Sequence, residues 1–123
     1  MTFIFGGAYQ GMEAYAASLG ARTFAKLDAE MVVPDFSADA VSGLEAFALG
    51  CVRRGESPEA VFAAHRAEWE NKILIGVDLS AGVVPMEAEL RLWRDENGRL
   101  NNYLASQAAH VIRMFCGIGQ VIR

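Results

Sequence analysis

The sequence has few cysteines and histidines, no basic tract and no long apolar run. Cys51 and Cys116 are its only thiols, and neither has a second cysteine or a histidine at metal-ligand spacing, so we expect no zinc site and no disulfide. A formal net charge of −4 without a basic cluster argues against nucleic-acid binding. No apolar run approaches the roughly 20 residues of a membrane span, and the first residues lack the basic region of a signal peptide. We therefore expect a cytoplasmic protein that contacts neither membranes nor nucleic acids.

The composition is that of a folded globular protein. The chain has 123 residues, of which 53% are hydrophobic and 21% are charged. This length allows one core of useful size but not two, so we expect a single domain over residues 1–123.

Three short runs consist almost wholly of apolar residues, as buried parallel strands do. They are Thr2–Phe5, Ile73–Val77 and Val111–Phe115. Capping residues and apolar periodicity predict helices over 11–20, 39–54 (capped by Ser37 or Asp39), 57–70 and 85–109, with a loop at 79–84. Met31–Val33 is a candidate for a short strand. After a turn at 116–119, Gln120–Arg123 is predicted to form a returning strand. This order predicts an α/β three-layer sandwich with a mostly parallel sheet and a C-terminal β-hairpin.

A glycine-rich segment follows the first predicted strand and precedes a helix. Ligands of such folds bind at the carboxyl ends of parallel strands, and this segment lies there with residues 78–84 and the start of the helix predicted over 85–109. Its spacing fits the phosphate-binding pattern G-x-x-x-x-G-K-[ST], but the Lys and Ser/Thr positions hold Met12 and Glu13. The candidate nucleotide-binding residues are Gly6, Gly7, Ala8, Tyr9, Gln10, Gly11, Met12 and Glu13. The glycines either form a nest of N–H groups for an anion or only allow a tight turn.

The carboxyl half carries a second, more specific pattern. Residues 73–85 include Gly82-Val83-Val84-Pro85, and Gly98-Arg99-Leu100-Asn101 leads to Leu104-Ala105 and later to Cys116-Gly117-Ile118. Together with the amino-terminal Gly6-Gly7-Ala8-x-x-Gly11, these blocks resemble the adenosylcobinamide kinase/adenosylcobinamide-phosphate guanylyltransferase family of cobalamin biosynthesis. The resemblance covers residues 2–19 and 73–122 and is poor over 21–70, which looks like a shortened form of the family.

The resemblance implies a P-loop NTPase-like domain that uses GTP or ATP with Mg²⁺, acts on a corrinoid and forms a homo-oligomer, commonly a trimer. It also implies a guanylylated histidine after the family's second strand. This sequence has no histidine there, and we assign that role to neither His65 nor His110.

The resemblance also suggests two catalytic candidates. Asp78 occupies the family's Glu position and would contact a metal or a hydroxyl, unless it is only a turn or cap residue. Arg99 belongs to the Gly-Arg motif and would contact a phosphate, unless it pairs with an acid such as Asp95. The candidates to supply the cation that the glycine loop lacks are Lys26, Lys72 and an arginine of a neighbouring subunit.

The functional expectation is therefore a cobinamide kinase/guanylyltransferase-like protein whose nucleotide binding is weakened by the missing lysine. The alternative is an inactive pseudoenzyme that serves as an oligomeric or partner-binding module. Residues 40–52 are apolar on nearly all sides, which predicts an exposed helix that builds the oligomer. If only the charge is missing from the loop, Met12→Lys with Glu13→Ser should strengthen nucleotide binding tenfold or more.

Overall fold

The computed structural model describes residues 1–80 and 86–123. The strands are β1 Thr2–Gly6, β2 Phe24–Lys26, β3 Ala40–Ser42, β4 Ile73–Val77, β5 His110–Phe115 and β6 Ile118–Val121. The helices are α1 Met12–Ser18, α2 Leu44–Arg54, α3 Pro58–Ala64, α4 Arg66–Trp69 and α5 Ala88–Gln107. Pro85, the expected start of the long helix, and most of the expected loop at 79–84 lie outside the described residues.

The strands form one sheet in the order β2-β3-β4-β1-β5-β6. Every neighbouring pair is parallel except β5 and β6, which form an antiparallel hairpin. The three apolar runs are adjacent at the centre, with Ile4 opposite Ile75 on one side and Ile112 on the other. The predicted mostly parallel sheet with a C-terminal hairpin is therefore confirmed.

Helices cover both faces of the sheet, which gives the predicted three layers. Phe3 and Leu74 belong to a core with α2, α3 and α5, whereas Ile4 and Ile75 belong to a second core with α1. Successive residues of a strand point to opposite faces, so a strand covered on both sides needs apolar residues at consecutive positions. This requirement explains the uninterrupted apolar runs.

The predicted helix start at Ser37 or Asp39 is wrong. Residues 40–42 form β3, and α2 begins only after Gly43, whose φ of 75° is left-handed. Asp39 caps no helix, because its Oδ2 accepts hydrogen bonds from the backbone N–H groups of Arg22 and Thr23 at 2.9 and 3.2 Å. These hydrogen bonds lower the pKa of the Asp39 carboxyl below its usual value and tie the start of β2 to that of β3.

Other predicted boundaries also change. Residues 31–33 are not a strand, and Val32 and Val33 are exposed there. The helix expected over 57–70 is divided at His65 into α3 and α4. The final strand begins two residues earlier than expected, because the turn after β5 needs only Cys116 and Gly117.

The expected exposed helix at 40–52 is not exposed. Val41, Leu44, Phe47 and Cys51 have 0% relative exposure within the single chain. Here α2 packs between β4, α3 and α5, which together cover more of its surface than one sheet face could. The apolar composition of this segment therefore gives no support for an oligomer.

No helix in the described part of the chain is long and apolar enough to cross a membrane.

Candidate functional site

The glycine-rich loop connects the carboxyl end of β1 to the start of α1. Gly6 ends β1 at a point where the strand lies too close to β5 for a side chain. An added Cβ would lie 2.8 Å from the carbonyl oxygen of Met114. Gly11 precedes α1 with a φ of 82°, a conformation that other residues adopt only with strain. The loop between them is exposed at its tip, where Tyr9 also has a positive φ of 61°. Packing at Gly6 and the turn at Gly11 therefore require glycine whether or not the loop binds a ligand.

The N–H groups of residues 7–11 donate no hydrogen bond within the described parts of the chain. The loop is held instead through Gln10, whose carbonyl oxygen accepts from the N–H of Gly117 at 3.2 Å and whose Oε1 accepts from the N–H of Cys116. The β5–β6 turn thus fixes the loop without using its donors. A loop with free N–H groups before a helix resembles an anion-binding nest.

The two residues that replace the phosphate-binding pair differ in their environment. Met12 is 4% exposed and packs in the core between the sheet and α1, with Ile4, Ile75 and Ile112. Glu13 is exposed in the first turn of α1. The side chain at position 12 therefore packs against apolar residues. The first charged side chain after the loop is that of Glu13, which is negative.

Asp78 directly follows β4 and lies beside the start of the loop. Its N–H donates to the carbonyl oxygen of Gly6 at 2.8 Å. Its Oδ1 accepts from the N–H and the hydroxyl of Ser80, which closes a small turn. Asp78 thus has a turn-forming role, and its Oδ2 has no hydrogen bond within residues 1–80 and 86–123.

Arg99 lies on α5, away from the glycine loop. It lines a cleft of about 710 Å³ together with Arg91, Arg94 and Ser80. Its Nη1 lies 3.4 Å from Glu96 Oε1, so its acidic partner is Glu96 and not the anticipated Asp95. The structure therefore brings Asp78 to the loop and places Arg99 in a cleft along α5. A smaller cavity beside Asp78 shares Ser80 and Arg94 with that cleft.

Two buried asparagines of α5 received no role from the sequence. Asn97 and Asn101 are 1% and 7% exposed, and the Nδ2 of each donates to the carbonyl oxygen of Val77 at 3.0 and 3.1 Å. Together they anchor α5 to the end of β4. The sequence did contain a signal for their burial, because these two amides interrupt the apolar stripe formed by Trp93, Leu100 and Leu104.

The histidines do not approach the glycine loop. His110 begins β5 opposite Thr2, at the amino edge of the sheet, and His65 lies between α3 and α4, where its Nδ1 contacts Glu68. Lys72 precedes β4 at the same amino edge, with its Nζ 3.5 Å from the carbonyl oxygen of Ser37. A five-residue strand, roughly 16 Å long, separates that edge from the loop. Lys72 therefore cannot replace the missing loop lysine.

The described residues offer no ready-made metal site, and Cys51 is not an activated thiol. Within 1–80 and 86–123, no three histidine, cysteine or acidic side chains come together as metal ligands. Burial raises the pKa of the Cys51 thiol, which keeps it protonated and unreactive. A magnesium ion here would need nucleotide phosphates as ligands, with Asp78 or Glu13 supplying at most one or two carboxylates.

Comparison with known proteins agrees with the carboxyl-half pattern. The family model described as cobinamide kinase / cobinamide phosphate guanyltransferase matches residues 47–122, more than half of the chain. The match runs from within α2 to the end of the sheet, and it leaves out the glycine loop. No curated protein matches the chain. The chain belongs to the cobinamide kinase/cobinamide phosphate guanyltransferase family.

Proposed function

We propose that the chain is a kinase/guanylyltransferase-like protein of cobalamin biosynthesis whose glycine loop binds GTP or ATP weakly, through backbone N–H groups. The observation that carries this proposal is the set of N–H groups at residues 7–11, which have no acceptor in the described structure. They lie at the carboxyl edge of the sheet, where α/β proteins bind ligands. The residues proposed to contact nucleotide remain Gly6 to Glu13.

Binding should be weak because the loop lacks a side-chain cation. A charged hydrogen bond to a phosphate contributes about 1.5–3 kcal/mol, and the lysine that would make it is replaced by the buried Met12. Restoring it by Met12→Lys is a poor test, because the charge would replace a core side chain and destabilise the protein. The exposed Glu13 is the better position for an experiment.

The proposed roles of the remaining residues follow the geometry. Asp78 would use its open Oδ2 to contact Mg²⁺ or a substrate hydroxyl, and Arg99 would contact a phosphate in the α5 cleft. Mg²⁺, a corrinoid substrate and a cytoplasmic location stay proposals that rest on the family. The same holds for a homo-oligomer, and a trimer in particular, which light scattering at micromolar concentration would test.

Replacing Glu13 by glutamine is expected to tighten GTP binding about threefold to tenfold, because it removes a negative charge beside the phosphates. Isothermal titration calorimetry with GTP and with ATP, in the presence and absence of Mg²⁺, measures the change. Glu59→Gln is the matched control, since Glu59 also lies in the first turn of a helix but on α3. It should leave binding unchanged.

Two other outcomes of this titration would change the proposal. If Glu13→Gln weakens binding only when Mg²⁺ is present, Glu13 is a metal ligand and the loop holds a metal–nucleotide complex. If neither the unchanged chain nor the variant binds nucleotide at millimolar concentration, the nucleotide-binding proposal fails. The inactive module is then the remaining candidate, and the buried Met12 in place of a lysine is the observation that favours it.

A further inference from the structure

The β5–β6 hairpin is closed on one face and open on the other. On the face toward α1, Met114 is 2% exposed, and an added Cβ at Gly119 would lie 2.4 Å from the ring of Tyr15. The residues that point the other way are exposed, and β6 ends the sheet. We call this side the open hairpin face, and it consists of Arg113, Phe115, Ile118, Gln120 and Ile122.

The open hairpin face is mainly apolar. Phe115 and Ile118 form a cross-strand pair next to the turn, and each is more than half exposed, as is Ile122 at the other end of β6. A groove of about 580 Å³ lies on the hairpin and is lined by Phe115, Ile118 and Arg113, together with Gly119 and Gln120. Single exposed apolar residues are normal in folded proteins, but a contiguous apolar patch indicates a contact surface.

This face lacks the helix layer that covers the same side of the sheet elsewhere. There α2, α3 and α5 pack on β1 and β4 through Phe3 and Leu74, and in the hairpin Val111 packs against that core. Two neighbouring strands are about 10 Å wide, and an α-helix with its side chains has a diameter of about 10–12 Å. One further helix would therefore fit over the hairpin and complete the layer.

The charge of the open hairpin face is positive. Arg113 lies opposite Gln120 at its centre and forms no ion pair or hydrogen bond within residues 1–80 and 86–123. Residues 110–123 contain no Asp or Glu, although the chain has 15 acidic residues. The second arginine of this segment, Arg123, donates through Nη2 to the carbonyl oxygen of Ala108 at 2.8 Å. A partner that covers Arg113 must therefore supply a carboxylate, because a buried charge has to be paired.

We propose that the open hairpin face binds an acidic amphipathic helix of a partner protein. The apolar stripe of that helix packs on Phe115, Ile118 and Ile122, and one of its carboxylates pairs with Arg113. A second copy of this chain fits less well, since a symmetric contact through this face brings like charges together at Arg113. Residues 7–13 do not line the groove, so the proposal does not depend on nucleotide binding.

Two fluorescein-labelled peptides test the proposal in anisotropy titrations with the full chain. Each has about 14 residues, so its helix is about 21 Å long, close to the length of β5. Both carry leucine at every third and fourth position. The acidic peptide has glutamates beside this stripe, and the basic peptide has lysines at the same positions. The acidic peptide is expected to bind with a Kd below about 100 μM, and the basic peptide about tenfold more weakly.

Arg113→Glu tests the charge pair. It should weaken binding of the acidic peptide about tenfold and strengthen binding of the basic peptide. Arg22→Glu is the matched control, because it changes the net charge equally and Arg22 is exposed before β2, at the other edge of the sheet. This control should leave both affinities within about twofold of those of the unchanged chain, since charges more than about 10 Å apart are screened by salt.

Phe115→Ser tests the apolar contact and should weaken binding of the acidic peptide about tenfold. Phe24→Ser is its control, because Phe24 is an exposed phenylalanine on β2, at the opposite edge of the sheet. It should leave the affinity unchanged. Phe115 and Arg113 are both exposed, so we expect both variants to fold.

Four results would overturn the proposal. The first is a Kd above about 100 μM for the acidic peptide, and the second is binding that neither Arg113→Glu nor Phe115→Ser weakens. The third is light scattering in which Phe115→Ser, but not Phe24→Ser, converts an oligomer into a monomer, since the face would then hold a second copy. The fourth is binding to phosphatidylglycerol vesicles that Phe115→Ser abolishes, which would assign the face to a lipid surface.

Discussion

Replacing Phe62 by alanine is expected to lower the free energy of unfolding by about 3–5 kcal/mol. Phe62 has 0% exposure, and its ring lies 5.3 Å from that of Phe36 and 5.8 Å from that of Phe47, edge-on to both. The exchange leaves a cavity between α2 and α3 and removes both aromatic contacts. For a chain of this size the loss is a large part of the total stability.

Chemical denaturation followed by tryptophan fluorescence measures this effect. Trp69 is a suitable reporter, because it is 1% exposed and its Nε1 donates to the carbonyl oxygen of Phe62 at 2.8 Å. Phe115→Ala is the control, since Phe115 is 67% exposed on β5 and its loss should cost less than about 1 kcal/mol. Equal losses for the two variants would contradict the assignment of Phe62 to the core.

Replacing Gly50 by alanine is expected to destabilise the protein by about 2–3 kcal/mol, although alanine is the better helix former. Gly50 lies inside α2, where an added Cβ would be 2.2 Å from the carbonyl oxygen of Ala29. That oxygen belongs to the backbone, so the segment after β2 must shift to make room. The crowding should outweigh the gain in helix propensity.

Gly98→Ala is the matched control, because Gly98 also lies inside a helix but has nothing within 4 Å of an added Cβ. It should raise the free energy of unfolding by up to about 1 kcal/mol through helix propensity alone. Thermal denaturation of the two variants should therefore give shifts of opposite sign. A stabilising Gly50→Ala would mean that α2 and the segment at Ala29 do not pack as closely as the structure has them.

Part of the candidate site was predictable from local sequence. The spacing of Gly6 and Gly11 after a strand identified the loop, and the motif at Gly98–Ala105 identified the family. The sequence placed residues 78–84 and the start of the long helix at the same edge of the sheet, but only the structure shows that Arg91, Arg94 and Arg99 line a cleft with Ser80. Asn97 and Asn101 were visible as polar breaks in an apolar stripe. Only the structure shows that both donate hydrogen bonds to the carbonyl oxygen of Val77 at the end of β4.

The sequence by itself determined the central strands, the layered α/β class and the order of the main helices. It could do so because a strand buried on both faces requires consecutive apolar residues, and a helix covered on one side requires a periodic stripe. These are local conditions, and the segments Thr2–Phe5 and Ile73–Val77 satisfy them without reference to the rest of the chain.

Only the tertiary structure decided the short elements and the direction of single side chains. Ala40–Ser42 joins the sheet because β2 and β4 supply its hydrogen-bond partners, although its composition resembles that of the helix that follows. Met12 turns into the core because Ile4 and Ile112 surround it, whereas its position in the loop pattern suggested a site for a charge. Three-residue strands and side-chain directions depend on neighbours that are distant in sequence, so no local pattern specifies them.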